Sequence, residues 1–146
     1  MWQRTSRQIG WMAIDALLLA GALALAYQLR FDFETPDDYT RQFHALVIPV
    51  VAIELTLLWL LGLYRRMTQF AGAGELLITA SALFIGLVIG GIYYMVEKAL
   101  GRTAADPSLA PWQWPIPRPV LLTNFLAGAA AVGGARLVRR LTLAWP

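Results

Sequence analysis

The chain has 146 residues, 58% of them hydrophobic and 14% charged, with a formal net charge of +3. That leaves room for one domain and is too apolar for an ordinary soluble fold. Cysteine is absent and His44 is the only histidine, which excludes disulfide frameworks, thiolate metal sites and cysteine nucleophiles.

The apolar residues fall into four blocks, residues 9–29, 43–64, 76–96 and 120–138. Each is long enough to cross a hydrocarbon core of about 30 Å at about 1.5 Å per residue. Each is also apolar around most of its circumference, whereas a soluble bundle needs a polar stripe on every helix. The prediction is an all-α fold, an integral membrane four-helix bundle forming a single transmembrane domain.

The first block follows a basic lead containing Arg4 and Arg7, and Ala22-Leu23-Ala24 resembles a signal-peptide cleavage site. The run is longer than a usual signal core and three more spans follow, so the first helix is expected to be retained. Asp15 lies six residues into this span, about 9 Å from its end, where an isolated carboxylate is expensive. The fourth span places Arg136 near the same end, so Asp15 and Arg136 are predicted to pair as a helix-packing lock. A proton relay is the competing reading, but relays commonly use more than one buried acid.

Residues 30–42 form an acidic connector to the second block, which carries Glu54 near its middle. No basic residue lies at similar depth in another span, so a protonated Glu54 bonded to hydroxyls such as Thr79, Ser81 or Tyr93 is predicted. The alternative is a polar groove for a lipid-linked or ionic ligand. Between the second and third blocks lies a short turn, residues 65–75. Residues 97–119, between the third and fourth, are long and proline-rich, with Trp112 and Trp114 as interfacial aromatics and room for a re-entrant or surface-lying segment.

Small residues recur at four-residue spacing: Ala16, Ala20 and Ala24, then Gly86 and Gly90, then Ala129 and Gly133. Such ridges let helices approach closely, within the bundle or between copies in a homo-oligomer. The glycines from Gly128 to Gly134 are not a nucleotide loop, because no Lys-Ser or Lys-Thr follows and the dinucleotide spacing is wrong. No Ser/His/Asp arrangement and no metal-ligand spacing is present. The sequence therefore assigns no catalytic, cofactor or metal residue. Its intramembrane polar candidates, for structure or ligand contact, are Asp15, Glu54, Arg118 and Arg136.

Basic residues mark orientation, since they favour cytoplasmic loops. One side holds Arg4, Arg7, Arg65, Arg66, Arg136, Arg139 and Arg140; the other holds Arg30, Arg41, Lys98, Arg102 and Arg118. Seven against five predicts both termini cytoplasmic. The basic residues sit at the block ends without forming one stripe, so the expected contacts are membrane lipids, with no nucleic acid.

Four local patterns, in order, add a resemblance. Ile14-Asp15 and Leu29-Arg30-Phe31-Asp32 come first, then Gly62-Leu63-Tyr64-Arg65 with Glu75-Leu76, then Ile116-Pro117-Arg118-Pro119, and finally Gly134-Ala135-Arg136-Leu137 with Arg139-Arg140. Together they resemble the N-terminal transmembrane region of the membrane-bound nucleoside-diphosphate-sugar 4,6-dehydratases and epimerases of bacterial polysaccharide biosynthesis.

The resemblance implies a multi-pass protein of the bacterial cytoplasmic (inner) membrane that anchors and assembles such an enzyme close to lipid-linked glycan assembly proteins. It also implies a cytoplasmic Rossmann domain binding NAD, which is expected to be absent from this chain because the sequence stops at Trp145-Pro146. Two other functions compete with the anchor. One is the membrane region of a polyprenyl-phosphate sugar-phosphate transferase. The other is a small tetraspan flippase or transporter for polyprenyl-linked sugars, in which Glu54, Asp15 and Arg118 would contact the headgroup.

Overall fold

The computed structural model describes residues 2–62, 73–103 and 106–144. The described chain is all-helical, with α1 at Trp2–Arg30, α2 at Asp37–Leu60, α3 at Ala73–Ala99 and α4 at Arg118–Ala144. A short 3-10 turn at Pro111–Gln113 precedes α4. All four long helices are long and apolar enough to cross a membrane. Leu63, Tyr64 and Arg65, which carry part of the second sequence pattern, and Arg66, which counts toward orientation, lie outside the described residues.

The helix ends shift two sequence-based boundaries. The α2 helix starts at Asp37, six residues before its apolar block, because Pro36 (φ −58°) leads into the helix and Asp37 and Asp38 occupy its first turn. Carboxylates there complement the positive end of the helix dipole. The acidic connector thus shrinks to residues 31–36. At the far end Leu61 caps α2 and Gly62 adopts φ +87°, a left-handed conformation that a glycine accepts without steric cost.

Schellman-type bonds close α1 and α3. At the end of α3 the Gly101 N–H donates to the Lys98 carbonyl at 3.0 Å, and the Arg102 N–H donates to the Glu97 carbonyl at 3.0 Å. At the end of α1 the Phe33 N–H donates to the Gln28 carbonyl at 2.7 Å. Here Asp32 (φ 52°) and Phe33 (φ 66°) take the left-handed positions. Aspartate tolerates that region far better than a bulky residue such as Phe33 does.

Each helix packs against its neighbours in sequence, and α4 closes the ring on α1. Two apolar clusters fill the interior. Leu19, Leu58, Ala82, Leu83 and Val132 form one; Leu23, Ala26, Tyr27, Leu46, Ile116 and Val120 form the other. Large apolar side chains such as Leu17, Ile48 and Leu77 point away from the bundle. Exposed apolar area on this scale suits lipid and not water.

The small-residue ridges of α3 and α4 are used inside the bundle. A Cβ at Gly90 would lie 2.7 Å from Leu121 Cδ2, and one at Gly133 would lie 2.9 Å from Leu76 Cδ2. Backbones approach at these points because no side chain intervenes.

Candidate functional site

The bundle interior carries its polar side chains in separate layers. Midway along α1, deeper than its place in the apolar block implied because the helix begins at Trp2, Asp15 is fully buried; Arg136, in the second half of α4, is 7% exposed. Arg136 Nη1 donates to Asp15 Oδ1 at 2.9 Å, and Nη2 donates to Oδ2 at 2.8 Å. This fork-on-carboxylate geometry is the strong, directional form of the ion pair. The Arg136 guanidinium also lies over the Trp11 ring at 5.5 Å, with Arg139 over the same ring at 4.8 Å. The sequence thus identified both members of this pair but missed the indole beneath them.

Glu54 sits at mid-height, against Gly86 of α3. Its partner is not the predicted set of hydroxyls. Asn124, from α4, donates through Nδ2 to Glu54 Oε1 at 2.7 Å. Thr79 instead donates to the Glu75 carbonyl of its own helix at 2.9 Å, and Ser81 is exposed. Asn124 carries no signal in the sequence, because an uncharged amide inside an apolar block leaves no mark in charge or hydropathy. Glu54 Oε2 and Asn124 Oδ1 are both buried without a hydrogen-bond partner.

A third layer lies beneath the connection from α3 to α4. Gln42 is fully buried. Its Oε1 accepts from the Tyr27 hydroxyl at 2.9 Å, while Nε2 donates to the Trp114 carbonyl at 3.0 Å. One side chain of α2 thereby ties α1 to the proline-rich segment. That segment folds onto the bundle: Trp114, Pro115 and Ile116 are buried. Trp114 is therefore not a lipid-facing interfacial anchor, since its ring is packed in protein and its Nε1 donates to the Asp106 carbonyl at 3.1 Å. The Trp112 side chain lies outside the described set.

Around the same end, Glu97 is buried and engaged by Arg102 Nη1 at 2.9 and 2.8 Å. Arg118, at the start of α4, is exposed and lies over the Tyr94 ring at 5.0 Å. The structure therefore joins Asp15 to Arg136 and leaves Glu54 and Arg118 in two other places, so the four sequence candidates do not form one site.

No family model matches this chain, and no match is found among curated proteins or solved structures.

Among the described residues no group of three or more His, Asp or Glu side chains is placed to hold a metal ion. The arrangement has a direct physical consequence. Asp15–Arg136 joins α1 to α4, Glu54–Asn124 joins α2 to α4, and Gln42 joins α1, α2 and the proline-rich segment. Each tie is directional, so together they fix the rotation of helices that apolar packing alone leaves free to slide.

Proposed function

We propose that this chain is the membrane-anchoring and assembly domain of a nucleoside-diphosphate-sugar 4,6-dehydratase or epimerase of bacterial polysaccharide biosynthesis. The observation that carries the reading is the use of the buried polar side chains. Asp15, Glu54 and Gln42 are each engaged by a residue of another helix, which suits a fixed scaffold. The identity of the enzyme rests on the sequence patterns from Ile14-Asp15 to Arg139-Arg140.

In this reading the bundle lies in the bacterial inner membrane with both termini cytoplasmic. The chemistry belongs to a Rossmann domain that uses NAD and cytosolic sugar nucleotides. Membrane lipids, further copies of the chain and lipid-linked glycan assembly proteins are its partners.

Deleting the chain in its host and fractionating the cells tests this. Nucleoside-diphosphate-sugar dehydratase or epimerase activity is expected to move from the membrane to the soluble fraction. Glu54→Gln is expected to preserve both insertion and that activity. Movement of a polyprenyl-linked sugar across liposomes containing the complex, abolished by Glu54→Gln, would replace the anchor with a translocase. Reading the coding DNA past codon 146 for a strand followed by a glycine-rich turn tests the attached domain directly.

A further inference from the structure

A groove of about 710 Å³ opens on the outer surface of α3 and α4, with Val88, Gly91, Met95, Leu121, Tyr94 and Arg118 among its walls. Its lining is apolar along most of its length and cationic at one end. The sequence builds it with two adjacent glycines of opposite effect. At Gly90 an added Cβ would meet Leu121 at 2.7 Å, so α4 closes tightly on α3; at Gly91 an added Cβ would meet nothing within 4 Å, and the recess stays open.

Arg118 supplies the cationic lining, and Lys98 stands just outside the groove beside the same Tyr94 ring. Lys98, in the last turn of α3, lies 5.8 Å from the centre of the Tyr94 ring, and Arg118, from the start of α4, lies 5.0 Å from it. Both side chains are exposed. Neither has a carboxylate within ion-pair distance among the described residues; the nearby Glu97 is taken by Arg102. Two cations thus converge on one aromatic ring with no carboxylate among the described residues within ion-pair distance of either.

Their depth identifies the occupant. Lys98 and Arg118 stand at the ends of the apolar segments Gly74–Ala99 and Arg118–Thr142, where phosphates of a lipid leaflet lie. From Val88 to Ala99 the groove follows twelve residues of α3, a rise of about 16 Å at about 1.5 Å per step. That is about half of a 30 Å hydrocarbon core, the reach of one acyl chain in one leaflet.

We propose that this groove binds an anionic glycerophospholipid, with its phosphate between Lys98 and Arg118 and one acyl chain lying over Gly91. The site is independent of the anchor reading, since it concerns lipid selection by the bundle itself.

The test is native mass spectrometry of the full chain from nanodiscs holding equal amounts of phosphatidylglycerol and phosphatidylcholine. Both lipids carry a phosphate, but the choline cation of phosphatidylcholine opposes Lys98 and Arg118; each cation facing a net anionic lipid is worth roughly a fivefold preference, so phosphatidylglycerol should be retained at least about tenfold over phosphatidylcholine. Arg118→Gln and Lys98→Gln should each reduce that preference roughly fivefold. Gly91→Leu, which fills the recess and leaves the charges intact, should release the lipid without lowering Tm. Equal retention of the two lipids overturns the proposal, as does a preference that survives Arg118→Gln and Lys98→Gln together. Displacement by inorganic phosphate alone would make it an anion site, and stronger retention of a polyprenyl phosphate would reassign the chain; either result refutes the phospholipid.

Discussion

Arg136 holds Asp15 with both terminal guanidinium nitrogens, at 2.9 and 2.8 Å, across the interface of the first and last helices. The two residues stand 121 positions apart in sequence. Their bond closes the ring of four helices. Because both groups are buried, removing either strands the other in a medium that solvates charge poorly.

Asp15→Ala and Arg136→Ala should therefore each lower stability by about 3–5 kcal/mol, read as a fall in Tm in detergent. The double variant is expected to be less damaging than the sum of the two, since it leaves no stranded charge. Strict additivity would show that the pair does not couple the helices.

At the middle layer, Asn124→Ala removes the donor to Glu54 and should cost about 1–3 kcal/mol. Glu54→Gln keeps an acceptor oxygen opposite Asn124 Nδ2 and should stay within about 1 kcal/mol of the parent. Replacing both by leucine should recover part of the Asn124→Ala loss, because it removes the polar demand from both sides. Denaturation in mixed micelles ranks the variants; a Glu54→Gln loss as large as that of Asn124→Ala contradicts this bonding scheme.

Gln42→Leu deletes the bonds to Tyr27 and to the Trp114 carbonyl while filling similar space. Interhelical bonds of this kind in membranes are worth about 1–2 kcal/mol. A matching drop in Tm is expected, accompanied by faster hydrogen exchange in residues 110–116. Unchanged exchange there would mean that apolar packing of Ile116 alone holds the segment down.

The turn after α3 carries a pH dependence. Asp106 Oδ1 accepts from the Ser108 hydroxyl at 2.7 Å and the Ser108 backbone N–H at 2.9 Å. These bonds hold its carboxyl below its ordinary value. A depressed folded pKa means the contribution is complete above the ordinary aspartate range near pH ~3.9 and is lost as pH falls through the lower folded value. The indole N–H resonance of Trp114, bonded to the Asp106 carbonyl, should hold its position until the pH is below that range. Asp106→Asn should remove the transition. A midpoint at or above the ordinary range would rule out the Ser108 bonds as its cause.

The four long apolar helices, and the pairing of Asp15 with Arg136, were legible in the sequence. Hydropathy summed over a window needs no knowledge of which way a residue faces, and Asp15 and Arg136 are opposite charges at matching height, although α1 begins at Trp2 and so carries Asp15 at its midpoint. What only the tertiary structure decided is which faces meet. A helix turns by about 100° per residue, so depth alone does not tell whether Asn124 or Thr79 faces Glu54. The same limit hid Gln42, whose partners Tyr27 and Trp114 come from two other parts of the chain, and the groove where Lys98 and Arg118 converge on Tyr94. Sequence specifies how deep each polar group lies; the packing angles of the four helices specify what it touches, because a hydrogen bond is lost with an error of about 1 Å while burial in lipid tolerates any rotation.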